Sequence, residues 1–273
     1  MENAAMGVWN TDRILGALDS FDEEPLPNDV AEVLTADYRL LYYPQRLLSP
    51  TFPPAQVVWS KTSKSLDDLL VEIEPKIKEW GLDEIHWWVS PATRPLQTES
   101  LLRDRGGELS DSLQLLALEL LSNTFKFDTP RDITVELVHD ERTFRDSASV
   151  ATRGWGRSSE DEVALSRRLD EVLSNLELLS SYEFVAYVDG KPASTGSCKV
   201  SNDVVRLWGA VTLPEFRGRG CYRAVLASRL RQAEECGATL AVTRGRPLTS
   251  GAILIRSGFR AHGEAHCYRL AVR

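Results

Sequence analysis

Residues 206–237 constrain this chain more than any other stretch. Residues 207–213 (Leu-Trp-Gly-Ala-Val-Thr-Leu) are apolar and β-branched, the composition of a strand. Arg217, Gly218, Arg219 and Gly220 then make a turn of two glycines and two cations. From there the period changes. Tyr222, Val225, Leu226, Leu230 and Ala233 recur at three- and four-residue spacing, one face of a helix that Gly237 ends. Strand, basic glycine turn and helix N-terminus together describe an anion site. Glycines let backbone N–H groups converge, the first helical turn adds unpaired donors, and the arginines add charge. The turn alone also reads as a surface turn with two solvated arginines. It is neither the dinucleotide fingerprint nor the lysine-bearing nucleotide loop.

The rest of the chain narrows the choice of partner. A net charge of −8 argues against a broad nucleic-acid footprint, though not against a small basic pocket. Cys198, Cys221, Cys236 and Cys267 show no metal-ligand spacing, so no metal is expected and the cysteines read as thiols in a reducing compartment. No apolar run reaches the ~20 residues that span a bilayer, and the start of the chain lacks the basic and apolar regions of a signal peptide. A cytoplasmic protein with no membrane partner is the expectation.

Local signals set out the elements. A short helix is predicted over 29–36, strands over 39–43 and 56–60, and a helix over 65–80 capped by Ser65, with Pro75 as a possible break. A strand over 85–90, a helix over 96–105 ended by Gly106 and a strand over 113–120 follow. Residues 123–130 read as a linker. Beyond it come a strand over 133–138, a helix over 140–151, a Gly-flanked loop over 152–159 and a helical stretch over 160–179. Strands over 184–188 and 193–200 join at the Asp189-Gly190 turn. After residue 237 come a strand over 239–243, a helix over 248–256 and a last strand over 266–272.

The run from Arg217 to Tyr222, with the strand before it and the helix after it, resembles the acetyl-CoA pyrophosphate loop of the Gcn5-related N-acetyltransferases (GNAT). The family pattern is Gln or Arg, two variable residues, Gly, one variable residue, then Gly or Ala; Arg217 and Gly220 fit it and Tyr222 departs from it. The element order from residue 133 onward is similar to the family fold. The resemblance implies an α/β fold, a mixed sheet flanked by helices. An internal repeat extends it: Arg94-Pro95-Leu96 matches Arg246-Pro247-Leu248, and Leu102, Gly106 and Leu118 match Leu254, Gly258 and Leu270, all 152 residues apart. Two similar copies are therefore expected, a degenerate, structural or substrate-shaping domain over 1–124 and a catalytic one over 125–273. The first copy has no glycine between Gln56 and Ser65, so it lacks the phosphate cradle.

The resemblance implies acetyl-CoA, or another acyl-CoA, as co-substrate, bound by Ala210, Val211, Thr212, Arg217, Gly218, Arg219, Gly220, Cys221 and Tyr222. An amine of a small molecule or peptide would attack the thioester directly. The family's usual proton donor is a tyrosine four residues before the last Gly-Phe; here that position is Leu254. Either another group serves, or water does, or the domain binds CoA without this chemistry. Candidate substitutes are Tyr222, Tyr268, His262, His266 and Cys267, with Glu183 a possible base; Glu183, Tyr222 and His266 are the catalytic expectation. Arg153, Trp155 and Trp208 are expected to line the acceptor pocket. Three readings remain: an N-acetyltransferase, a CoA-binding protein with altered catalysis, and an interaction protein. A monomer or homodimer is expected.

Overall fold

The apolar runs fold between the caps and turns that bound them. The computed structural model describes residues 9–20, 26, 29–49, 52–120, 130–160, 162–175 and 180–272. The first half contains α1 (Thr11–Asp19), β1 (Ala31–Leu34), β2 (Tyr38–Tyr42), β3 (Ala55–Ser60), α2 (Leu66–Glu79), β4 (Glu84–Val89), α3 (Thr98–Asp104) and β5 (Glu108–Glu119). The second contains β6 (Ile133–Leu137), α4 (Glu141–Trp155), α5 (Glu162–Asn175), β7 (Ser181–Val188), β8 (Lys191–Ser201) and β9 (Val204–Thr212). It ends with α6 (Cys221–Glu235), β10 (Leu240–Gly245), α7 (Ala252–Arg256) and β11 (Arg260–Ala271).

Ser65 caps α2 in a reciprocal box with Asp68. Pro75 lies inside α2 without dividing it. The carbonyl that Pro75 leaves unsatisfied is that of Val71, a residue on the exposed face. Three expectations need correction. Residues 31–34 form a strand, not a helix, because pairing with β2 outweighs local preference. The loop expected from 152 is helical to Trp155, where Gly156 caps α4 in the left-handed conformation. The last strand begins at Arg260 rather than 266. The 123–129 part of the expected linker and the 124/125 boundary lie outside the described residues.

Among the described residues the strands form one mixed sheet of eleven, in the order β1-β2-β3-β4-β11-β5-β10-β9-β8-β7-β6. Only β3–β4 and β9–β10 pair in parallel. Two similar lobes share the sheet, one built around α2 and α3, the other around α4 to α7. Their last strands are exchanged: β5 lies against β10, and β11 lies against β4. The 152-residue repeat is legible in the register. The same shift carries β5 onto β11 end to end. Leu113 pairs with Ala265, its own counterpart, so a local two-fold axis passes through that pair. Ser110 and His262, the two residues skipped by the bulges on either side, are also counterparts. The exchange shows in the cores. Leu118 of β5 packs with the α6 lobe, while its counterpart Leu270 packs with the α2 lobe. α1 covers the seam, with Ile14 and Leu18 on Leu115, Ala117 and Ala265. Among the described residues no helix is long and apolar enough to cross a membrane.

Candidate active site

The sheet opens between β9 and β10. Their pairing runs from Val204↔Leu240 to Leu207↔Thr243 and stops, although β9 continues to Thr212 and β10 to Gly245. The Thr243 hydroxyl donates to the Leu207 carbonyl at 2.9 Å on that last rung. The cause of the divergence is a bulge. Ser197 pairs with Trp208 and Thr195 with Val211, so Gly196 alone faces Gly209 and Ala210. The extra residue bends β9 away from β10. Among the described residues, the edge of Ala210, Val211 and Thr212 that faces β10 therefore has no strand beside it. The Val211 side chain points the other way, into a cluster with Val150, Leu213, Trp155 and Phe216. α4 crosses closely there: a Cβ on Gly154 would stand 2.6 Å from a Val211 methyl.

Beyond β9 the chain makes a 3-10 turn at Pro214–Phe216 and enters the basic loop. Gly218 (φ 78°) and Gly220 (φ 95°) hold left-handed conformations that the turn requires. Gly220 is the N-cap of α6 and supplies no capping side chain, so none of the first-turn N–H groups is taken by its cap. The two arginines differ. Arg219 donates to Asp132 at 2.7 Å, and that bond holds the Asp132 carboxyl below its usual range. Arg217 donates only to the Thr212 carbonyl, at 3.4 Å, and forms no ion pair among the described residues. Cys221 is buried, which pushes its thiol pKa up. Tyr222 packs against the α6 core, and burial raises its phenol pKa against the lowering influence of the Arg229 cation.

On the α4 side, Glu183, Ser197 and Trp208 form one cross-strand row. Glu183 accepts from Ser147 of α4, and from Thr195 at 3.4 Å. Ser147 and Thr195 are buried and bonded to each other. Trp208 is 39% exposed, at the point where the strands part. Arg153 is tied to Glu215 at 2.6 Å on the rim, and Trp155 packs beneath. So Glu183, Trp208, Arg153, Trp155 and the loop gather around the end of β9. His266 does not join them: it lies on β11 between Glu99 and Glu264, at 3.1 and 3.3 Å, beside α3. Tyr268 also faces that lobe, donating to Glu99 at 2.7 Å. Leu254 is 1% exposed in the α6 core. Sequence reading missed Ser147, Thr195 and Arg229. Ser147 and Thr195 are ordinary polar residues on a helix and a strand, and only the packing of α4 on β7 and β8 joins them to Glu183.

The Acetyltransferase (GNAT) family matches residues 143–247, from the first turn of α4 to just beyond β10. The lobe that holds that stretch has a GNAT-like fold. The whole chain is similar in fold to a GCN5-related N-acetyltransferase from Kribbella flavida, at 17% identity and TM-score 0.65, over 97% of this chain and 96% of that one. It is similar to a GCN5-related N-acetyltransferase from Sphaerobacter thermophilus, at 15% identity and TM-score 0.66, over 93% and 84%. A tandem GNAT protein from the clavulanic acid biosynthesis pathway matches at 15% identity and TM-score 0.62, over 94% and 88%. No curated protein matches the chain.

Outside the matched lobe, the α2 lobe has the same parallel strand pair but no opening. β3 and β4 pair at Gln56↔His86 and Val57↔Trp87. Beyond them the Arg94 N–H donates to the Ser60 carbonyl at 2.9 Å, and Lys61 bridges to Arg94 in parallel. Counted along the registers from Gln56 and Arg206, which occupy matching places, Ser60 and Lys61 correspond to Ala210 and Val211. The chain's own backbone thus lies on the edge that stays open in the GNAT-like α6 lobe. Residues 90–93 bring it there; Arg246 follows Gly245 directly, with no such insertion.

Proposed function

We propose that this chain is an acyl-CoA-dependent N-acyltransferase that moves an acetyl group from acetyl-CoA to the amine of a small molecule or peptide. The observation that carries the reading is the unpartnered edge of β9 ending in the Arg217 to Gly220 loop. The donors fit the ligand. The loop and the uncapped start of α6 suit a pyrophosphate, with Arg217 as the cation not already paired. The Ala210 to Thr212 edge offers backbone groups in the ladder pattern that an amide-bearing pantetheine arm can complete. Acetyl-CoA bound there supplies an activated acyl thioester next to the acceptor.

Trp208 and the α4 rim, with Arg153 and Trp155 behind it, wall the acceptor side. Glu183 stands two strands from the opening, about 10 Å, so a water relays the proton it takes from the acceptor ammonium. The neutral amine then forms the C–N bond as the C–S bond breaks, and the nitrogen gives its surplus proton to solvent as the amide forms. The departing sulfur takes a proton from solvent, because Leu254 offers none and Tyr222 is packed against the α6 core. His266 has no part in this reading. The buried Leu254 also favours a second one, a CoA-binding protein with altered catalysis.

Calorimetry with CoA, followed by thiol release from acetyl-CoA across a panel of amines, tests both. Binding and turnover support the transferase. Binding without turnover on a broad panel favours the second reading, and no binding overturns both.

A further inference from the structure

Arg229 is 1% exposed and, among the described residues, forms no ion pair. Burial disfavours its charge and pushes its pKa down, yet a guanidinium remains protonated in a protein. An unpaired buried charge is costly. Its position is specific. Nη1 donates to the carbonyls of Ser197 (3.2 Å) and Trp208 (3.5 Å), one on each strand flanking the bulge. Nε has no partner. The sequence makes room for it: a Cβ on Gly196 would lie 3.2 Å from the Arg229 Cζ.

The peptide that Arg229 grips joins Trp208 to Gly209. In a trans peptide the C=O and N–H point in opposite directions. Arg229 reaches the Trp208 carbonyl beside that of Ser197, on the β8 side of β9, so the Gly209 N–H is turned to the β10 side, toward the opening. A charge-assisted bond to the carbonyl withdraws electrons from the peptide and makes its N–H a stronger donor.

We propose that Arg229 is a positioning residue that fixes the β9 bulge and, through the Trp208 carbonyl, strengthens the Gly209 N–H as a donor to the acyl oxygen of a bound thioester. This rests on the acyl-CoA reading above. Negative charge gathers on that oxygen during transfer, so a preorganised donor there acts where the charge develops.

Two measurements test it without turnover. The first is the infrared carbonyl band of [1-13C]acetyl-CoA bound to the wild-type protein. A shift to lower frequency than in water is expected, and no shift overturns the inference even if every variant misfolds. The second is calorimetry of acetyl-CoA against ethyl-CoA, a thioether without the carbonyl, for the wild type, Arg229→Lys and Arg229→Met. The wild type should prefer acetyl-CoA by about fivefold, the worth of one hydrogen bond. Arg229→Met should lose that preference and the band shift while keeping its affinity for ethyl-CoA, and Arg229→Lys should recover part of both. A preference unchanged in a folded Arg229→Met protein, with only a lower Tm, would reduce Arg229 to a packing role. Failure of the wild type to bind either compound would instead overturn the acyl-CoA reading, and this inference with it.

Discussion

The two parallel strand pairs of the sheet start alike and end differently. In the GNAT-like α6 lobe, β9 and β10 part after four paired positions, and the end of β9 is left facing an opening. In the α2 lobe, Arg94 closes the corresponding gap onto Ser60 and Lys61. One lobe keeps its backbone donors and acceptors for something outside the chain, and the other satisfies them internally. A four-residue insertion, 90–93, separates the two outcomes. The lesson is that a binding edge in such a sheet is a deliberately unfinished ladder, since backbone polar groups at a sheet edge must find partners somewhere. The α2 lobe also lacks the glycine loop. On the proposed acyl-CoA reading, we therefore propose one cofactor site per chain and a structural role for the α2 lobe.

The comparison breaks most severely if the lobes are independent. Because β5 and β11 are exchanged, each half cut at 124/125 would carry a strand whose partners lie mostly in the other half. Each half expressed alone should show no cooperative unfolding by circular dichroism, and the two together should recover it. A half that melts cooperatively alone would mean that each copy can take back its own last strand. Next in size, Leu270→Ala should destabilise the α2 lobe by about 2–4 kcal/mol, as for a buried leucine, although the residue belongs to the last strand of the chain. Hydrogen exchange should show the loss first in β2, β3 and α2. Protection lost first around α6 would contradict the exchange.

Ligand binding sharpens the contrast between the two ends. Calorimetry should give one CoA per chain. Arg217→Ala should weaken CoA binding by about tenfold or more, as expected for a lost charge-assisted bond. Arg219→Ala should change it by about twofold or less, because Arg219 is already paired with Asp132 and exposed pairs are worth little. Equal effects would mean that the pyrophosphate sits differently in the loop. The smallest effect concerns acid. Burial lowers the pKa of His86, on β4 beside the exchanged β11, against the opposing influence of Glu84. A group whose folded pKa lies below its unfolded value of about 6.5 favours unfolding once protonated. Its contribution to stability is therefore intact above pH ~6.5 and declines below that, until the folded pKa is passed. The Tm should fall slightly more between pH 7 and 5 in the wild type than in His86→Asn; equal slopes would remove His86 from the acid response.

The chain's own order of residues determined a good deal. Alternating and helical periods located most elements, because burying one face imposes those periods wherever packing occurs. The positive-φ glycines fixed the loop at Gly218 and Gly220, since few other residues hold that backbone. The repeat was visible as identities, and it reappears as a residue-for-residue register. What local pattern did not contain was pairing between distant segments. β1 is a strand only because β2 lies beside it, and α4 runs on to Trp155 where it packs over Val211. His266 and Tyr268 went to the α3 side because β11 crossed to β4, and nothing in their neighbourhood along the chain records that exchange. Glu183 meets Ser147 and Thr195 only after two strands and a helix are assembled. The opening itself is of this kind. The sequence shows a strand leading to an anion loop, but whether the edge of that strand stays free is decided by which segment lies beside it. Hydrogen-bond partners across a sheet are chosen in three dimensions.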